Sequence, residues 1–156
     1  MNSTYEFHSR WRVSCSRESL WDEVEALLAS DDPMAWWGHV EVVAYDGSNL
    51  SLRASSRFGY RLAFRLTTLQ LSRPERLTFD ASGDLRGNGV VTFVEGVDNS
   101  SYMDIDWRVR TDRRWMRWSG WLLRPVFVAG HHLIMRQGEK HLNLWLAGQS
   151  RPQWER

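Results

Sequence analysis

Two adjacent histidines, His131 and His132, stand near the middle of "PVFVAGHHLIMRQGEKHLNLWL" (residues 125–146). The apolar period of that stretch is that of a core-facing helix. Such a pair could hold a metal, move a proton, or place a polar contact in an apolar pocket. The spacing argues against metal. Neighbours on a helix point ~100° apart, whereas helical zinc pairs use i,i+4 spacing. His8, His39 and His141 offer no recognisable ligand spacing either, so no metal is expected. Acid–base catalysis needs a carboxylate or nucleophile to orient the imidazole, and none is evident beside it. What remains is a hydrogen-bonded group in a core or cavity wall, or a direct contact to a ligand in an apolar pocket.

Other candidate chemistry is weaker. Cys15 is the single cysteine; it can form neither an internal disulfide nor a CxxC pair, and nothing around it marks a nucleophile. The glycine-rich "GDLRGNG" (residues 83–89) lacks the Gly-Lys-Ser/Thr ending of a phosphate loop and lies between strand patterns. A hairpin turn is expected there, with Gly87 and Gly89 allowing positive φ or a bulge. No cofactor is implied. Asp104, Asp106 and Asp112 interleave with Arg108, Arg110 and Arg113. That pattern breaks the continuous positive field phosphate binding needs. With a net charge of +1, a nucleic-acid partner is not expected.

The elements that must position His131 follow from the hydrophobic periods. A chain of 156 residues, 42% apolar and 25% charged, suits one globular domain over residues 1–150, with 151–156 as a tail. The strongly apolar run 125–135 is too short for a bilayer, which takes about 20 residues. The N-terminus lacks the apolar run of a signal peptide, so a cytoplasmic location is expected. Residues 4–14 alternate: Tyr5, Phe7, Trp11 and Val13 on one face, Glu6, His8, Arg10 and Arg12 on the other. Ser16 is placed to cap a helix striped by Leu20, Trp21, Val24, Leu27 and Leu28. "SDDPMAWW" (residues 30–37) predicts a second short helix. Six strand patterns in meander spacing then run from residue 39 to 110. Pro125 should break or kink the helical pattern that begins at Asp112. On the wheel of 126–147, Phe127, His131, Ile134, Met135, Gly138, Leu142 and Trp145 share one face, with Arg136, Lys140 and Asn143 opposite.

The blocks "FHSRWRVSCSRESLWDEVE", "FRLTTLQLSRPERLTFDASGDLRGNGVVTF", "DIDWRVRT", "RWM" and "LLRPVFVAGHHLIMRQGEKHL" resemble those of the START-like, SRPBCC superfamily, over about residues 5–149. Within it they are similar to bacterial proteins labelled polyketide cyclase/dehydrase or lipid transport. The resemblance implies an α+β helix-grip fold: a seven-stranded antiparallel sheet wrapped around a long C-terminal helix, with two short helices between strands 1 and 2. Where the resembling proteins often read Asn-His-Asp, this chain reads Gly130-His131-His132. His131 keeps its position, and its polar neighbours do not.

A cavity between sheet and helix is then expected. His131, Trp107, Phe64, Phe79, Phe93, Phe127 and Met135 would line it and bind a small hydrophobic ligand such as a lipid or an aromatic or polyketide-like molecule. Whether the chain's ten tryptophans fill that space is open, as is the oligomeric state. A cyclase/dehydratase-like enzyme with His131 as proton shuttle is the alternative. In "DRRWMRWSGWLLRPVF" (residues 112–127), Trp115, Trp118 and Trp121 are set against arginines. That suits a helix across the cavity mouth or a surface for transient membrane contact. Helix-grip topology also sets the first strand beside the last, so Asp104 and Asp106 are expected to pair with His8, Arg10 and Arg12 on the outer face, not to act as a catalytic dyad.

Overall fold

A computed structural model describes the backbone of residues 4–55, 61–111 and 120–149, and their side chains except at 111, 120–124, 127 and 149. In chain order these residues form β1 (Thr4–Val13), α1 (Arg17–Leu28), β2 (Val40–Tyr45), β3 (Leu50–Ser55), β4 (Arg61–Ser72), β5 (Arg76–Gly83), β6 (Leu85–Glu95), β7 (Ser101–Thr111) and α2 (Gly120–Gln149). All seven strands join one antiparallel sheet in the order β1-β7-β6-β5-β4-β3-β2. Strands β2 to β7 form a meander, and β1 crosses over to pair with β7. This is the expected helix-grip α+β fold.

The local signals act as their chemistry requires. The Ser16 hydroxyl accepts the Ser19 N–H at 3.2 Å and caps α1. Leu20, Trp21 and Leu27 turn inward, and the Trp21 ring meets Phe93 of β6 edge-on at 5.1 Å. The second short helix is not formed. Between Asp32 and Trp37 the amides bond three residues back, Ala35 N–H to Asp32 O and Trp37 N–H to Met34 O. Asp32 Oδ1 also accepts the Met34 N–H, and the Trp36 indole N–H donates to the Pro33 carbonyl. These local bonds consume the groups an α-helix would use, and the segment closes as consecutive turns.

Pro125 does not break α2, which runs 30 residues through it. The proline sits near the N-terminal end, where it forfeits one backbone bond. The rest of the helix is held by burial of Met135, Gly138 and Leu142. At ~1.5 Å per residue α2 spans about 45 Å. Its path seals an edge of the sheet. Arg12 N–H donates to Glu139 Oε2 at 2.8 Å and Ser14 N–H to Asn143 Oδ1 at 2.9 Å, while Asn143 Nδ2 donates to Arg12 O. Asn143, expected on the face away from the apolar stripe, thus satisfies exposed backbone of edge strand β1. Trp145 donates its indole N–H to Glu23, tying α2 to α1.

Two glycines let aromatic rings approach the backbone closely. A Cβ at Gly138 would lie 2.7 Å from the Trp11 ring and 2.8 Å from Trp37. A Cβ at Gly89 would lie 2.2 Å from Phe79 Cζ. The first lets two indoles press on the α2 backbone, and the second lets Phe79 lie flat across β6. The "GDLRGNG" hairpin turns at Gly83-Asp84, ahead of the two glycines expected to make it. Gly87 and Gly89 sit inside β6, Gly87 with positive φ.

Candidate functional site

The sheet and α2 do not close completely. A cavity of about 230 Å³ remains between them, roofed by α1 and the 33–37 turn. Its walls include His131, Trp107, Phe64, Phe79, Phe93 and Met135. Phe127, the seventh residue expected to line it, has a side chain outside the described residues. So do Trp115, Trp118 and Trp121. Not anticipated as lining were Trp11, Trp36 and Trp37. Trp36 and Trp37 stack at 5.0 Å, and Trp11 meets both edge-on at 6.0 and 5.5 Å. Trp11 was legible as inward-facing from its alternation. The Trp36–Trp37 pair sits in a turn, where no period signals direction. These indoles narrow the space without filling it.

His131 is built in from three sides. Helix α2 presents it to β1 and β7 where Phe7 and Trp107 are register partners. The imidazole stacks on Phe7 with ring centroids 3.6 Å apart and meets Trp107 at 6.1 Å. His131 is 9% exposed, while its neighbour His132 is exposed to solvent. One histidine faces the cavity and the other the outside, as ~100° per residue requires. Burial, with a smaller push from His132, takes the His131 imidazole from 6.5 down to about 4. The ring is therefore neutral near pH 7, with one N–H and one acceptor nitrogen. Its Nε2 is buried with no hydrogen-bond partner among the described residues, and so is Trp107 Nε1.

Among the described residues no Asp, Glu, Lys or Arg lines the cavity, and no cluster of His, Cys, Asp or Glu could hold a metal. Cys15 is half-buried and its thiol is pushed up by burial and then by Glu23, the opposite of an activated nucleophile. His39 and His141, 102 residues apart, come together: their rings stack at 6.0 Å and His141 Nδ1 accepts the Gly38 N–H at 3.3 Å. That contact pins the turn carrying Trp36 and Trp37 to α2, and sequence spacing gives no sign of it.

The aspartates of β7 lie on the opposite face. Arg10 Nε reaches Asp104 at 2.6 Å, His8 reaches Asp106 at 2.5 Å and Arg108 reaches Glu6 at 3.1 Å, all as register partners. Arg10 holds the Asp104 carboxyl below the usual carboxylate range. The Arg10–Asp104 and His8–Asp106 pairs are as expected; Arg12, expected to join them, stands opposite Tyr102, and Glu6–Arg108 was not anticipated.

No protein-family model matches the sequence, and no curated protein does. Solved structures do match the fold. A START superfamily protein from Mycobacterium smegmatis superposes with a TM-score of 0.65 at 13% identity, over 93% of this chain and 99% of that one. Protein Ms6760 from the same organism gives 0.61 at 15% identity, over 94% and 92%. Norcoclaurine synthase from Thalictrum flavum, in complex with dopamine and hydroxybenzaldehyde, gives 0.60 at 10% identity, over 97% and 91%. Among the described residues, no helix is long and apolar enough to cross a membrane.

Proposed function

From this START-like, SRPBCC-type fold we propose that the protein binds a small, largely hydrophobic molecule between the sheet and α2, as a cytoplasmic carrier or sensor. The observation that carries this is the cavity. Protein interiors pack to crystal-like density, so about 230 Å³ of apolar-walled space is a feature to explain. It falls just below the ~300–1,000 Å³ of drug-sized sites. Each large ligand group fully buried there would contribute ~1.5–3 kcal/mol, enough in sum for micromolar affinity. His131 is the polar contact that orients the ligand.

Binding is favoured over catalysis because no carboxylate of the described residues stands beside His131 in the cavity wall. An imidazole held near 4 is also a weak base at neutral pH. The aromatic compounds bound by norcoclaurine synthase make aromatic ligands a sensible first panel. The test is native mass spectrometry of freshly purified protein, followed by organic extraction. A co-purifying lipid or aromatic supports binding. A clean apo mass, with no thermal shift across a hydrophobic panel, counts against it.

A further inference from the structure

Six buried side-chain nitrogen and oxygen atoms have no hydrogen-bond partner among the described residues: Trp11 Nε1, Arg17 Nε, Trp37 Nε1, Ser101 Oγ, Trp107 Nε1 and His131 Nε2. Four of them belong to residues that line this cavity. Leaving a buried polar group unpaired costs ~1–3 kcal/mol, so native proteins keep few. Three of the four are indole N–H groups, which can only donate. The cavity wall is therefore short of acceptors. Among the described residues it also offers no counter-ion, since no charged side chain of theirs lines it. A carboxylate entering would find N–H donors but no counter-charge, and an ammonium would find neither a counter-charge nor enough acceptors.

We infer that the occupant is an uncharged molecule with a carbonyl-type oxygen that accepts from the Trp107 N–H beside His131. This rests on the binding function proposed for the cavity. The Trp107 position is favoured over the Trp11–Trp37 pair for two reasons. Trp11 and Trp37 are pressed against the α2 backbone at Gly138, whereas the Trp107 ring lies among Phe64, Phe79 and His131 on the cavity wall. Trp107 also has a second unpaired nitrogen close by, on the ring of His131 at 6.1 Å. Being neutral, that imidazole can take a hydroxyl next to the carbonyl or give a second bond to it. Phe64 and Phe79, at 5.7 and 6.0 Å from the Trp107 ring, supply apolar walls for the body of the molecule.

Size narrows the probe. A cavity of ~150 Å³ admits benzene, so the space here suits about two fused rings. Three naphthalene derivatives of matched shape separate the possibilities: acetonaphthone (neutral ketone), ethylnaphthalene (hydrocarbon) and naphthoate (anion). By isothermal titration calorimetry at pH 7.5, acetonaphthone is expected to bind about ten-fold tighter than ethylnaphthalene, the worth of one good hydrogen bond. Naphthoate is expected to bind at least ten-fold weaker than the ketone. In Trp107→Phe, which keeps a ring and loses the N–H, the ketone-to-hydrocarbon ratio should fall toward one. Equal affinity for the two neutral probes in the wild type, or naphthoate binding most tightly, overturns this inference and leaves the binding function standing. Failure of all three probes to bind overturns the binding function itself. The wild-type comparison decides even if the variant does not fold.

Discussion

The two faces of the β1–β7 pair are built from alternate residues of the same two strands, and they differ in every physical respect. On the outer face Glu6–Arg108, His8–Asp106 and Arg10–Asp104 stand opposite one another, each polar group with its partner and each pair open to solvent. On the inner face Phe7, Trp11 and Trp107 carry few polar atoms, and the Trp11 and Trp107 nitrogens have no partner. Ordinary electrostatic reasoning would look for function in the charges. Yet exposed pairs exchange water for one another at nearly no gain, whereas an unpaired donor in an apolar wall is costly and is relieved only by something brought to it. The place with less charge is the place with more chemistry to offer.

Three experiments sharpen that contrast. The largest effect is expected inside. Trp11→Ala removes a ring that is 3% exposed and packs on Trp36, Trp37 and α2. It should cost about 3–5 kcal/mol, read by urea unfolding. A loss under 1 kcal/mol would mean the inner face is loosely packed and the cavity collapsible.

Next comes acid sensitivity. His131 sits near 4 in the folded state against 6.5 in the unfolded chain. The unfolded state thus takes up a proton that the folded state refuses as pH falls from about 6.5 to about 4. The contribution is fully present above 6.5 and is lost on the way down to 4. Compared with His131→Leu, the wild type should lose up to roughly 3 kcal/mol more stability between pH 7 and pH 4. Parallel pH profiles would place His131 in a wetter site than its burial implies.

The smallest effect belongs outside. A double-mutant cycle on Glu6 and Arg108, each 70% exposed, should show a coupling worth about a degree or two of Tm, shrinking further in salt. A coupling comparable to the Trp11 loss would make the outer ladder the structural spine of the sheet and reverse the comparison.

Much of this arrangement was legible in the residues. Alternation in 4–14 and 101–110 assigned both faces correctly, because a strand's period of two leaves no choice once one face is greasy. The wheel of α2 placed His131, Met135, Gly138 and Leu142 inward and His132 near the rim. Three features were not legible. The 32–37 segment carries a helix-start signal, but side-chain bonds from Asp32 and Trp36 captured its backbone. Pro125 reads as a break or kink, and no break follows, because tertiary burial further along α2 outweighs one lost bond. The meeting of His39 with His141, and of Asn143 with the β1 edge, joins residues more than 100 positions apart, beyond any local pattern.

By itself, then, the sequence determined the strands and the two long helices, the inward identity of His131 and the apolar character of the site. These follow from period and side-chain chemistry, which are local properties. Only the tertiary structure decided that four tryptophans leave a cavity and do not fill it, and which of their nitrogens go unpaired. Volume left over and partners not found depend on how every surrounding group packs, so no shorter stretch of chain contains them.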